Sequence, residues 1–134
     1  MRTETFTIDT EGQFVSDITD RIAEFAASAA ADGLLNVFLP HATAGLALME
    51  AGSGSEEDLA MAIERMLPRG QRYEHRHGSP GHGTDHLVPT LISPSLTLPV
   101  EGGQVALGTW QSVVIVDPNR ENNRRTVRLS FLQG

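Results

Sequence analysis

Ser95-Leu96-Thr97-Leu98-Pro99-Val100-Glu101-Gly102-Gly103-Gln104-Val105-Ala106-Leu107 is the stretch that decides the fold class. Residues 95–100 alternate polar and apolar, a Gly-Gly pair follows, and residues 104–107 form a second short run. A two-residue period broken by two glycines predicts a β-hairpin. Towards the C-terminus, Val113-Val114-Ile115-Val116 is an unbroken apolar run and reads as a buried strand. Thr126 to Phe131 alternates, with Val127, Leu129 and Phe131 on one face. Towards the N-terminus, Leu34 to Leu39 predicts a strand ending at Pro40, and Ala42 to Met49 a second one. Thr3 to Ile8, a Glu11-Gly12 turn and Gln13-Phe14-Val15 predict an opening hairpin.

Two main helices are expected between the strands. In the first, Ile18, Ile22, Phe25, Ala26 and Ala29 recur at helical spacing, Ser16 is the expected cap, and Asp32-Gly33 stops it. In the second, Ser55 with Glu56, Glu57 and Asp58 opens a helix whose apolar face is Leu59, Ile63, Met66 and Leu67, and Pro68 ends it. A shorter helix capped by Thr84 or Asp85 reaches Ile92, with Pro89 expected in or near its first turn. Strands at both ends with helices between them indicate an α+β single domain, residues 1–134, with a largely antiparallel sheet.

The composition narrows the chemistry. The 134 residues contain no cysteine, which excludes a disulfide framework, a thiolate metal site and a cysteine nucleophile. Neither a signal-peptide pattern nor an apolar run near the roughly 20 residues of a membrane span is present. A cytoplasmic protein without a membrane partner is expected. A net charge of −7 argues against a nucleic-acid partner. All ten basic residues are arginine, so an anion would be gripped by guanidinium groups or backbone amides, and lysine Schiff-base chemistry is excluded.

Four of the five histidines fall in Tyr73-Glu74-His75-Arg76-His77-Gly78-Ser79-Pro80-Gly81-His82-Gly83-Thr84-Asp85-His86. The polar residues and glycines predict a surface loop, and imidazole is the commonest protein metal ligand. The His82-x-x-x-His86 spacing suits a metal, but Gly83 between them argues against a helical pair. Solvated histidines are the competing reading. His41 stands at a strand end among small residues, with room for a ligand or as a half-buried, hydrogen-bonded ring. Glu50 is a candidate general base or a solvated strand end. Trp110 is expected as a core or interface anchor. Arg124 and Arg125 open the last strand, pointing to opposite faces, as site residues or as edge-strand charges.

Taken in order, several segments resemble the YjbQ family, whose members are named for a secondary thiamine-phosphate synthase activity. They are Leu39-Pro40-His41-Ala42-Thr43-Ala44, Glu50, Tyr73-Glu74-His75, His86 before the Ser95–Val100 strand, Leu107-Gly108-Thr109-Trp110-Gln111, and Arg124-Arg125 through to Leu132-Gln133-Gly134. The resemblance implies a compact, sandwich-like α+β domain assembled as a homotrimer. It implies a thiamine-phosphate-synthase-like transferase that joins a pyrimidine methyl diphosphate to a thiazole phosphate and releases diphosphate. His41, Glu50 and Arg125 become the catalytic candidates, Thr43, Trp110 and Gln111 the ligand-binding ones, and His41, His75 and His86 the ligands of a divalent metal, zinc favoured over magnesium. A metal-dependent hydrolase of a small phosphorylated molecule and a non-enzymatic trimeric binding protein are the alternatives. The chain departs from the family pattern at Met49-Glu50, where Asn-Glu is usual, and at the Gly-Ser run after it. His77, His82 and Asp58 have no matched role, and His77 and His82 are expected to be solvated.

Overall fold

The computed structural model describes every residue except Arg72, Arg76, His77, Ser79 and Pro80. The expectation for His77 therefore lies outside the described residues. The elements are β1 (Arg2–Asp9), β2 (Val15–Asp17), α1 (Thr19–Ala29), β3 (Gly33–Phe38), β4 (Gly45–Met49), α2 (Ser55–Met66), α3 (His82–Leu91), β5 (Ser95–Glu101), β6 (Gln104–Val105), β7 (Ser112–Val116) and β8 (Arg124–Gln133). Five strands form one sheet in the order β1-β8-β3-β5-β6, and three form a second in the order β2-β7-β4. Among the described residues every strand pairing is antiparallel. The fold is α+β, as the strand periodicity predicts.

The two sheets share a core. Leu35, Val37, Leu98, Val100, Val127, Leu129 and Phe131 of the larger sheet meet Leu46, Val113 and Ile115 of the smaller, with Ile22, Phe25 and Ala26 of α1 closing one end. The unbroken apolar run of β7 has a physical reason. Val113 and Ile115 face that core, while Val114 and Val116 face a second cluster with Ile63 of α2 and Val88 of α3. The smaller sheet is thus covered on both faces, which removes the polar alternation a half-solvated strand would show. Among the described residues no helix is long and apolar enough to cross a membrane.

The hairpin closes as expected: Glu101 faces Gln104 across Gly102 (φ 57) and Gly103 (φ 79), positive angles that glycine tolerates at little cost. Its second strand is shorter than the expected 104–107, because Leu107 N turns back to the Val105 carbonyl at 2.9 Å. The opening hairpin is a correction. A turn does occur at Glu11 (φ 53) and Gly12 (φ 74), but β1 pairs with β8 and β2 pairs with β7. Thr10 N reaches Asn123 O and Asp117 N reaches Phe14 O, both at 2.8 Å, carrying the chain from one sheet to the other.

Helix α1 is not capped by Ser16, which is buried in β2. Asp17 Oδ1 instead accepts the Thr19 N–H at 2.9 Å and the Thr19 hydroxyl at 2.6 Å. Helix α3 begins at His82, earlier than a Thr84 or Asp85 cap would allow. Pro89 lies in its last turn rather than its first. The missing N–H sacrifices one helical bond there, and Ile92 N still bonds Val88 O at 2.8 Å. Strand β8 lies between β1 and β3, so Arg125 is not an edge-strand charge.

Candidate functional site

Three segments meet at one end of the smaller sheet. They are the link from β3 to β4 that carries His41 and Thr43, the link from β7 to β8 that carries Asp117 to Asn122, and α3 with the described residues before it. Together they enclose a cleft of about 370 Å³ lined by His41, Thr43, His82, His86, Asn119, Glu121, Asn122 and Arg125, among others.

On its helical side His82 and His86 line the cleft, and with His75 beside them they place one ring nitrogen each within 4.8 Å of one another. Among the described residues this is the group whose donor atoms gather closely enough to hold a metal. His82 Nε2 and His86 Nε2 stand 3.0 Å apart. Tetrahedral zinc with nitrogens at about 2.1 Å needs ligand atoms about 3.4 Å apart, so a small movement would seat an ion between these rings. Ring centroids are 4.4 Å apart for His75 and His86, and 5.3 Å for His75 and His82. The donor set fits a divalent cation of the zinc type.

The expectation that His82 is solvated is a correction: its relative exposure is 8%. The i,i+4 spacing holds because α3 starts at His82 and keeps Gly83 inside the helix. Glycine is required there by packing. A Cβ at Gly83 would lie 2.8 Å from Tyr73 Cβ and 3.0 Å from its ring. Gly83→Ala is therefore expected to push Tyr73, and His75 two residues on, away from the helix. A cost of about 1–3 kcal/mol, typical of overpacking, should appear in urea denaturation, together with weaker zinc binding by chelator competition.

Behind His82 lies a buried polar network. Its Nδ1 sits 3.3 Å from Asn119 Nδ2 and 3.6 Å from Asp85 Oδ2. Asn119 Nδ2 also donates to Asp85 Oδ2 at 2.9 Å, and Arg69 Nη1 donates to Asp85 Oδ1 at 2.6 Å. Arg69 is itself anchored on the carbonyls of Gly81 and Pro118. Burial pushes the Asp85 carboxyl above its ordinary value, opposed by Arg69, Asn119 and His82. A carboxylate behind a ligating imidazole orients the ring and raises its basicity.

On the opposite side, Arg125 is 1% exposed and Asp117 is 3% exposed. Arg125 Nε and Nη2 each donate to Asp117 at 2.7 Å, and Nη2 also donates to Thr43 Oγ1 at 2.9 Å. Asp117 further accepts the Asn119 N–H at 3.0 Å, so Asn119 joins the two networks. His41 Nε2 accepts the Thr126 N–H at 2.8 Å. Burial holds the His41 pKa below the ordinary 6.5, and the Arg125 charge adds to this.

The unfolded chain takes up the His41 proton first on acidification. The stability this ring contributes is complete above pH 6.5 and is lost as pH falls through the lower, folded value. His41→Gln should melt with a shallower acid limb than the unsubstituted protein between neutral pH and pH 5. Parallel Tm–pH curves would contradict this.

The structure brings His41, Thr43, His75, His86 and Arg125 to this one region. Glu50 is exposed just after β4 and does not line the cleft. Trp110 is 73% exposed, so the core half of its expectation is corrected. Gln111 Oε1 accepts the Gly108 N–H at 2.8 Å and closes the turn that displays Trp110. Neither lines the cleft. Asp58 lies exposed in the first turn of α2. Asp117 and Asn119 are not singled out by the sequence, and Asp85 is singled out only as a helix cap; the i,i+3 spacing of His82 and Asp85 is the local signal that points to its place beside the ring.

A family model described as UPF0047 protein YjbQ-like matches residues 4–134. The UPF0047 protein Rv2556c of Mycobacterium tuberculosis is 54% identical over 134 residues, covering both chains fully. The crystal structure of hypothetical protein APE1520 from Aeropyrum pernix superposes with a TM-score of 0.90 at 34% identity, again covering both chains fully. A Sulfolobus solfataricus protein, described as YbjQ-like and of unknown function, shares the fold with a TM-score of 0.91 at 23% identity, covering 99% of this chain and 97% of its own.

Proposed function

This chain belongs to the YjbQ-like UPF0047 family, and we propose that it is a metal-dependent enzyme acting on a small phosphorylated molecule in the His75–His82–His86 cleft. The observation that carries the reading is the convergence of three ring nitrogens within 4.8 Å beside a buried arginine. Three imidazoles suit zinc better than magnesium, which prefers oxygen ligands. A divalent cation held there would supply Lewis acidity towards phosphoryl oxygens.

The protein's own residues divide the remaining work. His75, His82 and His86 hold the cation, with Asp85 and Asn119 fixing the His82 ring. Arg125, held in place by Asp117 and Thr43, sits where it can bind substrate oxygens. For the reaction we adopt what the resemblance implies: the pyrimidinylmethyl group leaves its diphosphate, a C–O bond breaking, and forms a C–N bond to the thiazole nitrogen, so that phosphate groups stand on both substrates. A hydrolase is the second reading, favoured by Glu121, a carboxylate lining the cleft 4.0 Å from His82 Nδ1 that could act as a base.

Incubation with zinc, the pyrimidine diphosphate and the thiazole phosphate tests both, with zinc-free protein as control. Thiamine phosphate as product supports the transferase. Phosphate released from a phosphoester panel without coupling supports the hydrolase. Thermal stabilisation by these compounds without turnover would replace both with a binding protein. A homotrimer belongs to the same reading. In its support, Leu34 and Leu132 are paired in register on the outer face of the larger sheet at 48% and 58% exposure, with Phe38 at 39%. Light scattering giving a monomer at micromolar concentration would remove the trimer.

A further inference from the structure

We infer that His41 serves this cleft as a neutral hydrogen-bond donor, and that its Nδ1–H, the Thr43 hydroxyl and Arg125 Nη1 form a cradle for a phosphate or similar tetrahedral oxyanion of the substrate. The assignment rests on reading this cleft as the substrate site. It gives His41 a role other than metal ligand or proton-transfer base.

Thr126 N–H lies 2.8 Å from His41 Nε2. An amide N–H only donates, so Nε2 must present its lone pair, and in a neutral imidazole the proton then resides on Nδ1. With its lone pair spent on Thr126, Nε2 is poorly placed to ligate a metal, and a protonated Nδ1 has no lone pair to offer one. The same geometry disfavours a base, because accepting a second proton at Nε2 would displace the backbone bond. Burial and the Arg125 charge favour the neutral ring over the opposing charge of Asp117.

Among the described residues Nδ1 makes no hydrogen bond, and His41 lines the cleft. Thr43 Oγ1 accepts from Arg125 Nη2, which leaves its hydroxyl hydrogen to donate elsewhere. Arg125 uses Nε and Nη2 on Asp117 and Thr43, and Nη1 makes no bond among the described residues. Three residues of one cleft therefore hold donors in reserve: one N–H on His41, one O–H on Thr43 and two N–H on Arg125 Nη1. Phosphate oxygens accept only, and a tetrahedral anion can take several donors at once. Glu121 is the one carboxylate among the described lining residues, and it would set the anion towards the His41 side.

Glutamine reproduces both edges of this ring: its carbonyl can accept from Thr126 while its amide donates to the cleft, yet it neither titrates near neutrality nor replaces imidazole on zinc. The test measures binding of inorganic phosphate to zinc-free protein by calorimetry, and zinc affinity separately by chelator competition. His41→Gln should bind phosphate within about threefold of the unsubstituted protein, while His41→Phe and Thr43→Val should each weaken it about tenfold or more. Zinc affinity should be unchanged in all three. Nitrogen-15 NMR of the His41 ring should show Nδ1 protonated at neutral pH, a readout that does not depend on any variant folding. Zinc affinity lost in His41→Gln, phosphate binding retained in both His41→Phe and Thr43→Val, a ring protonated on Nε2, or no phosphate binding by the unsubstituted protein would each overturn the cradle. Failure of the unsubstituted protein to bind zinc would instead remove the metal-dependent reading and leave the cradle standing.

Discussion

Asp117→Ala is expected to destabilise the fold by about 3–5 kcal/mol, the range for breaking a buried ion pair by removing one partner. The guanidinium of Arg125 is 1% exposed and both its bonds to Asp117 are 2.7 Å long. Without the carboxylate, a cation stays buried with Thr43 Oγ1 as its one remaining side-chain acceptor among the described residues. Thr10 Oγ1 and the Asn119 N–H lose an acceptor at the same time. Set against a typical total of about 5–15 kcal/mol, this loss would leave the protein marginal at 37 °C. Urea denaturation measures it as a fall in midpoint at unchanged slope. The double replacement Asp117→Leu with Arg125→Met should recover much of the loss, because an apolar pair leaves no buried charge. A loss below 1 kcal/mol in Asp117→Ala would mean that water reaches the guanidinium and that the pair is not buried in solution.

The second large effect is on metal affinity. His82→Ala should weaken zinc binding by more than the roughly 10–100-fold that removal of an orienting partner costs, and Asn119→Ala should fall inside that range. The order follows from geometry. His82 contributes a ring nitrogen to the cluster, whereas Asn119 acts on the Nδ1 side of that ring and on Asp85. Zinc bound by this cluster would stabilise the folded state, so a chelator is expected to lower Tm in zinc-loaded unsubstituted protein and to leave His82→Ala unmoved. Equal zinc affinity in His82→Ala and the unsubstituted protein would remove His82 from the ligand set. It would return attention to His75 and His86 alone.

Much of the fold was legible because it is written locally. The alternation in Thr126 to Phe131 and the Gly102-Gly103 turn describe one strand and one hairpin, each within a dozen residues. The apolar face Leu59, Ile63, Met66, Leu67 likewise describes one helix. The strand at Val15 was legible too, but its partner was not. Its ladder joins Val15 to Val116 and Asp17 to Val114, and no local period says which distant strand supplies the hydrogen bonds. The candidate site was less legible for a related reason. Gly83 weighed against a helical His82–His86 pair as long as the Tyr73 ring that needs the space was unseen. The family resemblance named histidines at 41, 75 and 86 but did not distinguish their nitrogens.

Periodicity, turn residues and composition, read from the sequence by themselves, determined the α+β class, most of the elements, the absence of thiol and lysine chemistry, and the concentration of imidazole. Those properties depend on neighbours a few positions away, or on no neighbours at all. Only the tertiary structure decided that Arg125 is buried against Asp117, that His82 turns inward over Asp85 and Asn119, and that His41 gives its Nε2 to Thr126. Each of these is a contact between segments that chain folding alone brings together, and the chemistry of a titratable group is set by what it touches rather than by what precedes it.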